Sequence, residues 1–393
     1  MKTEKNTRKV YLDYAATTPL DTRALKAMLP YFSQEFGNTM SLHTIGQQAR
    51  AALETSREII ADLINADPEE IIFTSSATES NNLALKGIAW ANKERGRHII
   101  ISAIEHACVV ESSQWLKSQG FAVTVIPVDR YGLVNPKDVE KAIRKDTILV
   151  SIIHASNEIG TIEPISQIGR ICRERGVYFH TDASQSFGKI LINVKRIPVD
   201  LLTASSHKIY GPKGAALLFV RQGVKISPLL SGGGQETGLR SSTINVPAIV
   251  GFAEAAKISH KEMKKEGERL KKLRIQLIAG VLGSIEGSYL NGHPQKRLAN
   301  NASFRFDFIE GESLIISLNR MGISASTGSA CSSSKLEPSH VLLAIGLAPH
   351  QAHGSLRISL GRATKPADIN YVLTCLQTSV ARLREISPFK SSH

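Results

Sequence analysis

Short apolar runs alternate along this chain with segments of helical period, and that alternation narrows the possible folds more than any other feature. The runs are Glu70–Thr74, Arg97–Ser102, Ala122–Val128, Thr147–His154, Val177–Thr181, Asp200–Ala204 and Ala215–Val220. Most carry Ile, Leu or Val at consecutive positions, so they offer apolar side chains to both faces of a sheet. Such strands need cover on both sides. Helical patterns at Leu83–Glu94, Ala107–Gln119, Asn135–Arg144 and Ile165–Arg175 lie between them and supply it. The expected fold class is therefore α/β, a mostly parallel sheet flanked by helices.

Upstream, Val10–Pro19 reads as a strand entering a turn, Leu25–Phe36 as a helix and Gln47–Asn65 as a long helix. Beyond Arg221 the pattern changes. A Gly-rich loop, Ser231–Gly238, precedes one long charged amphipathic helix, Pro247–Leu282. Then come a strand (Asn301–Phe308), a helix (Gly311–Met321), a Ser-rich loop (Ala325–Ser334), a helix (Ser339–Gly346), a strand (Ser355–Leu360) and a helix (Pro366–Ile386). We expect a large domain over 18–262 and a smaller α+β domain built from 1–17 and 263–393.

Open parallel sheets bind ligands outside the carboxyl ends of their strands, and the chemically capable residues of this chain gather there. Lys208 follows the run Asp200–Ala204 and precedes a Gly/Pro turn, Ile209–Gly214. Desolvation at a strand end lowers an amine's pKa and makes it a nucleophile able to form a Schiff base with an aldehyde, of which pyridoxal phosphate is the common cofactor. Alone, a His-Lys pair in a turn is ordinarily a surface feature; its neighbours change that reading. Asp182 ends a strand and can pair with a protonated pyridine nitrogen, or simply cap a helix. Ser76, Ala77 and Thr78 open a helix directly after a strand, where backbone N–H groups and the helix dipole hold phosphate. Ser205 and His207 can add phosphate contacts. His106 can stack on a flat cofactor and move protons, and Asn157 can bond its phenolic oxygen. Arg357 can take an α-carboxylate in a bidentate pair, or form an ordinary salt bridge. Cys331 sits among small residues, where an accessible thiol can act as a thiolate. Cys108, Cys172 and Cys375 fall on helical patterns and are expected in the core.

The balance of charge raises other functions. The formal net charge is +13, which suits anionic partners. However, the Lys and Arg residues are dispersed and aromatic residues make up only 6%. A basic stripe with interleaved aromatics is missing, so nucleic-acid binding is not expected as the main role. The four cysteines have no paired spacing, so neither a metal finger nor a disulfide framework is expected. The basic stretch Met1–Lys9 has no apolar segment of a secretory signal, and no apolar run reaches a membrane span. A cytoplasmic location is expected.

Four stretches together resemble a known family: Tyr11–Pro19, Phe73–Asn82, Ser205–Gly214 and Gly328–Ser332. They are similar, in order and at family spacing, to cysteine desulfurases of the NifS/IscS type, over about Val10 to Pro388. The motif at Gly328–Cys331, followed by Glu337–His340, resembles the subgroup with a long cysteine loop. The resemblance implies fold-type I of the pyridoxal-phosphate enzymes and a homodimer. It implies that Lys208 carries the cofactor and removes the substrate's Cα proton, with Asp182 on the pyridine nitrogen and Gln185 and Asn157 on the phenolic oxygen. His106 would stack on the ring. Ala77, Thr78, Ser205 and His207 would hold the phosphate, with Thr243 reaching it from a second subunit. Arg357 would bind the carboxylate of L-cysteine, and Cys331 would take the sulfur as a persulfide for an acceptor protein, an iron–sulfur scaffold or another thiolation carrier. Selenocysteine lysis, or another reaction on the same fold, is the alternative. The chain departs from the family pattern at Thr39, Ser156, Ser206, Thr237 and Ser242, and its tail is short. Thr237, where arginine is common, removes a positive charge from the expected mouth of the site.

Overall fold

The structure is a computed structural model and describes residues 8–328 and 337–387. A two-residue strand, β1 (Val10–Tyr11), leads into a seven-stranded sheet made of β2 (Ile71–Thr74), β3 (His98–Ser102), β4 (Ala122–Ile126), β5 (Thr147–Ser151), β6 (Tyr178–Asp182), β7 (Leu201–Ser205) and β8 (Ala216–Val220). Their spatial order is β2-β8-β7-β6-β5-β3-β4. Neighbouring residues in a strand face opposite ways, and the core divides accordingly. Ile71, Phe73, Ile100, Val150, Phe179 and Leu202 pack in one layer. Ile72, Ile99, Ile101, Leu149, Leu201 and Leu218 pack in the other. This is why the strands read as continuous apolar runs.

One strand departs from the parallel set. β8 runs antiparallel to both β7 and β2. Residues 206–215, the link from β7 to β8, hold only a 3-10 turn where a parallel neighbour needs a crossover helix. The helix expected over Leu25–Phe36 is two pieces, Thr22–Met28 and Pro30–Ser33. Pro30 has no N–H to continue the first piece and starts the second instead. The helix expected from Leu83 begins earlier, at Ala77, with Ser76 as its cap, and passes through a π-helical turn at Leu83–Gly87.

A second sheet has the order β12-β10-β9, formed by β9 (Ser288–Asn291), β10 (Asn301–Phe306) and β12 (Ser355–Ser359), all antiparallel. β11 (Ile323–Ser324) pairs with β1 in parallel. Sequence reading misses β9, an edge strand whose residues are mostly half-exposed and lack a clean apolar face. The long helix Val246–Ser284 joins the two cores. Its Ala248, Ile249 and Phe252 pack under the large sheet, and its Leu270, Leu273 and Leu277 pack under the small one. No helix among the described residues is long and apolar enough to cross a membrane.

Candidate active site

The turn after β7 sets the position of Lys208. Ser206–Lys208 is a single 3-10 turn, closed by hydrogen bonds from the Ile209 and Gly211 N–H groups to Ser206 O at 3.0 and 3.1 Å. A Cβ on Gly211 would collide with Ser206 Oγ and come within 3.1 Å of Ser206 O, so this turn favours glycine. It directs Lys208 Nζ back to the N-terminal segment, where it donates to Ala15 O and Ala16 O, each at 2.7 Å. The same segment is tied down by Thr18 N–H donating to His207 O at 3.0 Å.

Asp182 ends β6 and is only 4% exposed. Its Oδ1 accepts from Ser184 N–H at 2.8 Å and Ser184 Oγ at 2.5 Å, and its Oδ2 from Asn81 Nδ2 at 2.7 Å. Gln185 Nε2 donates to Ala15 O at 2.9 Å while its Oε1 accepts from Lys189 Nζ at 3.4 Å. Burial, and then the neighbouring Lys208, hold the Lys189 amine down at about 7. Burial also keeps the His207 imidazole down at about 4, with Lys208, Lys213 and Lys189 adding to the effect, so it is neutral at physiological pH.

His106 caps the helix Ala107–Ser118, its Nδ1 accepting from Cys108 N–H at 3.2 Å. Arg357, in β12, is 3% exposed. It forms the salt bridge that one of the two sequence readings expects. Nη2 donates to Asp13 Oδ1 at 2.7 Å in a salt bridge, and Nη1 to Asn157 O and Gly328 O at 3.0 and 3.4 Å. Yet the residue also lines the same cavity as Lys208.

That cavity measures about 220 Å³. It brings together Ala77, Thr78, His106, Asn157, Asp182, Gln185, His207, Lys208 and Arg357. Ser205 and Thr243 are not among its lining residues. Ser205 is buried at the end of β7, and Thr243 is exposed just before the long helix. Thr237 lines a different depression, beside Arg57 and Glu236. Cys331 lies outside the described residues. Cys172 and Cys375 are buried as expected. Cys108 is only half-buried: it packs against the second layer of the core and also lines the cavity, from the first turn of its helix. Asp13, Asn81 and Ser184 also escape sequence reading as site residues. Asp13 lies in a recognisable motif, but nothing local shows that it meets Arg357.

The residues fit pyridoxal phosphate. Asn81 Oδ1 and Arg357 Nε are buried without hydrogen-bond partners, and both residues line the cavity. Unsatisfied polar atoms at a cavity wall fit a polar ligand. A helix N-terminus, an amine and a buried carboxylate on the same cavity suit the phosphate, aldehyde and ring nitrogen of that cofactor.

One acidic group behind the site gives a stability test. Glu105 is wholly buried, its Oε1 accepting from Ser102 Oγ at 2.5 Å and from Ile153 N–H at 2.7 Å. Burial raises its carboxyl to about 8. A raised carboxyl is protonated in the fold while the unfolded chain ionises near ~4.3. Its contribution is therefore fully present below ~4.3 and is lost as pH rises through about 8. Glu105→Gln keeps an acceptor oxygen but cannot ionise. It is expected to be more stable than the native protein by roughly 2–4 kcal/mol at pH 9, and by far less at pH 5. Urea unfolding at the two pH values checks this. An equal stability difference at both would refute it.

The model of the class-V aminotransferases matches residues 10–372. Cysteine desulfurase IscS 1 of Archaeoglobus fulgidus is 52% identical over 378 residues, covering 96% of this chain and 98% of that protein. Cysteine desulfurase IscS of Dictyoglomus turgidum is 51% identical over 383 residues, covering 98% and 97%. A solved structure of a NifS-like protein superposes with a TM-score of 0.90 at 38% identity, over 96% of this chain and all of that one.

Proposed function

Because this chain belongs to the class-V aminotransferase family and is one of its pyridoxal-phosphate-dependent cysteine desulfurases, we propose that it moves sulfur from L-cysteine to Cys331 and on to an acceptor of iron–sulfur cluster assembly. When bound, the cofactor supplies an aldehyde for amine capture and an electron sink for the substrate's Cα. Asp182 would hold its ring nitrogen, and Gln185 and Asn157 its phenolic oxygen. Ala77, Thr78, Ser205 and His207 would hold its phosphate, with Thr243 contributed by a second copy of the chain. His106, which lines the same cavity, would face the ring and move protons.

The substrate's carboxylate enters against Arg357, whose guanidinium is already held flat by Asp13 and two backbone carbonyls. That support lets Arg357 present a fixed donor edge instead of ordering itself on binding. Lys208 Nζ, between two carbonyl oxygens, takes the Cα proton. The Cys331 thiolate then attacks the substrate's sulfur. An S–S bond forms and the Cβ–S bond breaks. Its electron pair stays with the carbon skeleton, which takes up a proton at Cβ, regains one at Cα from Lys208 and leaves as L-alanine. The sulfur remains on Cys331 as a persulfide.

A homodimer is consistent with the exposed apolar side chains Leu29, Phe32, Phe36, Met40 and Leu42 and with the exposure of Thr243 outside its own chain's cavity. A reducing cytoplasm suits the free thiols. The observation that carries the reading is the meeting of Lys208, Asp182, His106 and Arg357 on one cavity. To test it, the cofactor-loaded protein is given L-cysteine and a thiol reductant, and alanine and sulfide are counted. Equal yields of the two, many times the amount of enzyme, are expected. The absence of alanine would overturn the proposal.

A further inference from the structure

Cys108 has a place in the site that its helical spacing conceals. Its Sγ lies 3.1 Å from His106 Nδ1 and 3.2 Å from Asn81 Nδ2. The same Asn81 nitrogen is 2.7 Å from Asp182 Oδ2. The directions of these bonds follow from chemistry. An ionised carboxylate only accepts, so the amide of Asn81 turns its NH2 toward Asp182. One N–H goes to the carboxylate and leaves the second for the sulfur of Cys108. The thiol accepts there and has its own proton to give, and His106 Nδ1 is the acceptor within reach. That nitrogen also accepts the backbone N–H of Cys108 at the helix cap. A ring nitrogen that receives two donors carries no proton, so the imidazole's proton sits on Nε2. Asn81, His106 and Cys108 all line the cavity, and Asn81 Oδ1 is buried there without a partner.

We propose that the Cys108 thiol is a positioning residue for His106: through the chain Asp182–Asn81–Cys108 it holds the imidazole in the Nε2–H form and opposes protonation at Nδ1. The chain physically joins the carboxylate at one part of the cavity to the imidazole at another. Conversion of His106 to imidazolium would force the thiol to reverse its hydrogen bond while the backbone N–H at the cap lost its acceptor. Asp182, His207, Lys208 and Arg357 face the same cavity, and Glu105 adjoins His106 in the chain, so the test must isolate the titration of His106. The inference rests on the reading of His106 as the imidazole that faces the cofactor.

Two measurements decide it. The first is alkylation of Cys108 by iodoacetamide, followed by peptide mass spectrometry, in cofactor-free and cofactor-loaded protein. Loading is expected to slow modification of Cys108 by about tenfold or more, because the thiol lines the occupied cavity. Equal rates, with the cofactor's absorbance present, overturn the placement. The second is the pH profile of kcat/KM. Cys108→Ala removes a donor that favours the neutral ring, so the acid limb is expected to move up by about 0.5–1 pH unit. Cys108→Ser restores an O–H donor and returns the limb toward its native position. In a His106→Gln background, Cys108→Ala produces no further shift. If His106→Gln alone leaves the acid limb in place, the reading of His106 falls and takes this inference with it. If His106→Gln moves the limb and Cys108→Ala does not, only the role of the thiol falls.

Discussion

Lys208→Ala protein, purified with excess pyridoxal phosphate and then dialysed, is expected to lose the visible band of the bound cofactor and to make no alanine from L-cysteine. The loss should be about 10³-fold or more, since one side chain supplies both the covalent anchor and the base. The fold should survive. The turn that carries Lys208 is closed by backbone bonds to Ser206 O, and the N-terminal segment is pinned to it by Thr18 N–H and Thr18 Oγ donating to His207 O. The substitution leaves Ala15 O and Ala16 O without the ammonium. Both carbonyls border the cavity, so water can replace it. Thermal unfolding of the cofactor-free forms should therefore be similar for variant and native chain. An unchanged visible band in the variant would remove Lys208 from its assigned role.

Cys331→Ser should behave in the opposite way. The variant is expected to keep the cofactor's absorbance and to respond to added L-cysteine, because Lys208, Asp182 and Arg357 are intact. Sulfur transfer should nevertheless fall by about 10³-fold or more. A serine hydroxyl is a far poorer nucleophile toward sulfur than a thiolate, and no persulfide can form on it. Alanine and sulfide should fall together, since one bond-breaking event produces both. Sulfide release at the native rate would remove the persulfide step while leaving the desulfurase assignment in place. Lys208→Ala and Cys331→Ser thus separate cofactor anchoring from sulfur acceptance.

Much of the site was legible because its chemistry sits at strand ends. The strands of the large sheet were readable as apolar runs, since both faces of each are covered. Lys208, Asp182, Ala77, Thr78, His106 and Asn157 each follow such a run closely, and the cavity includes them all. Where burial is one-sided or partial the reading weakened. β9 is an edge strand and left no periodic trace. β8 looked like its neighbours because its residues are equally buried, and only the pairing register reveals its antiparallel direction. Cys108 fits its helical pattern only in part: it packs against the core on one side and lines the cavity as well.

The sequence by itself determined the α/β layering and the chemical groups available, because strand period, helix starts and turn glycines are written in contiguous residues. The tertiary structure alone decided which group meets which. Arg357 finds Asp13, Lys208 finds the carbonyls of Ala15 and Ala16, and Cys108 lies between Asn81 and His106. The first two contacts join segments far apart in the chain, and the third joins two different helices. Their distances depend on strand order and on the close packing of the layers, which no local pattern encodes.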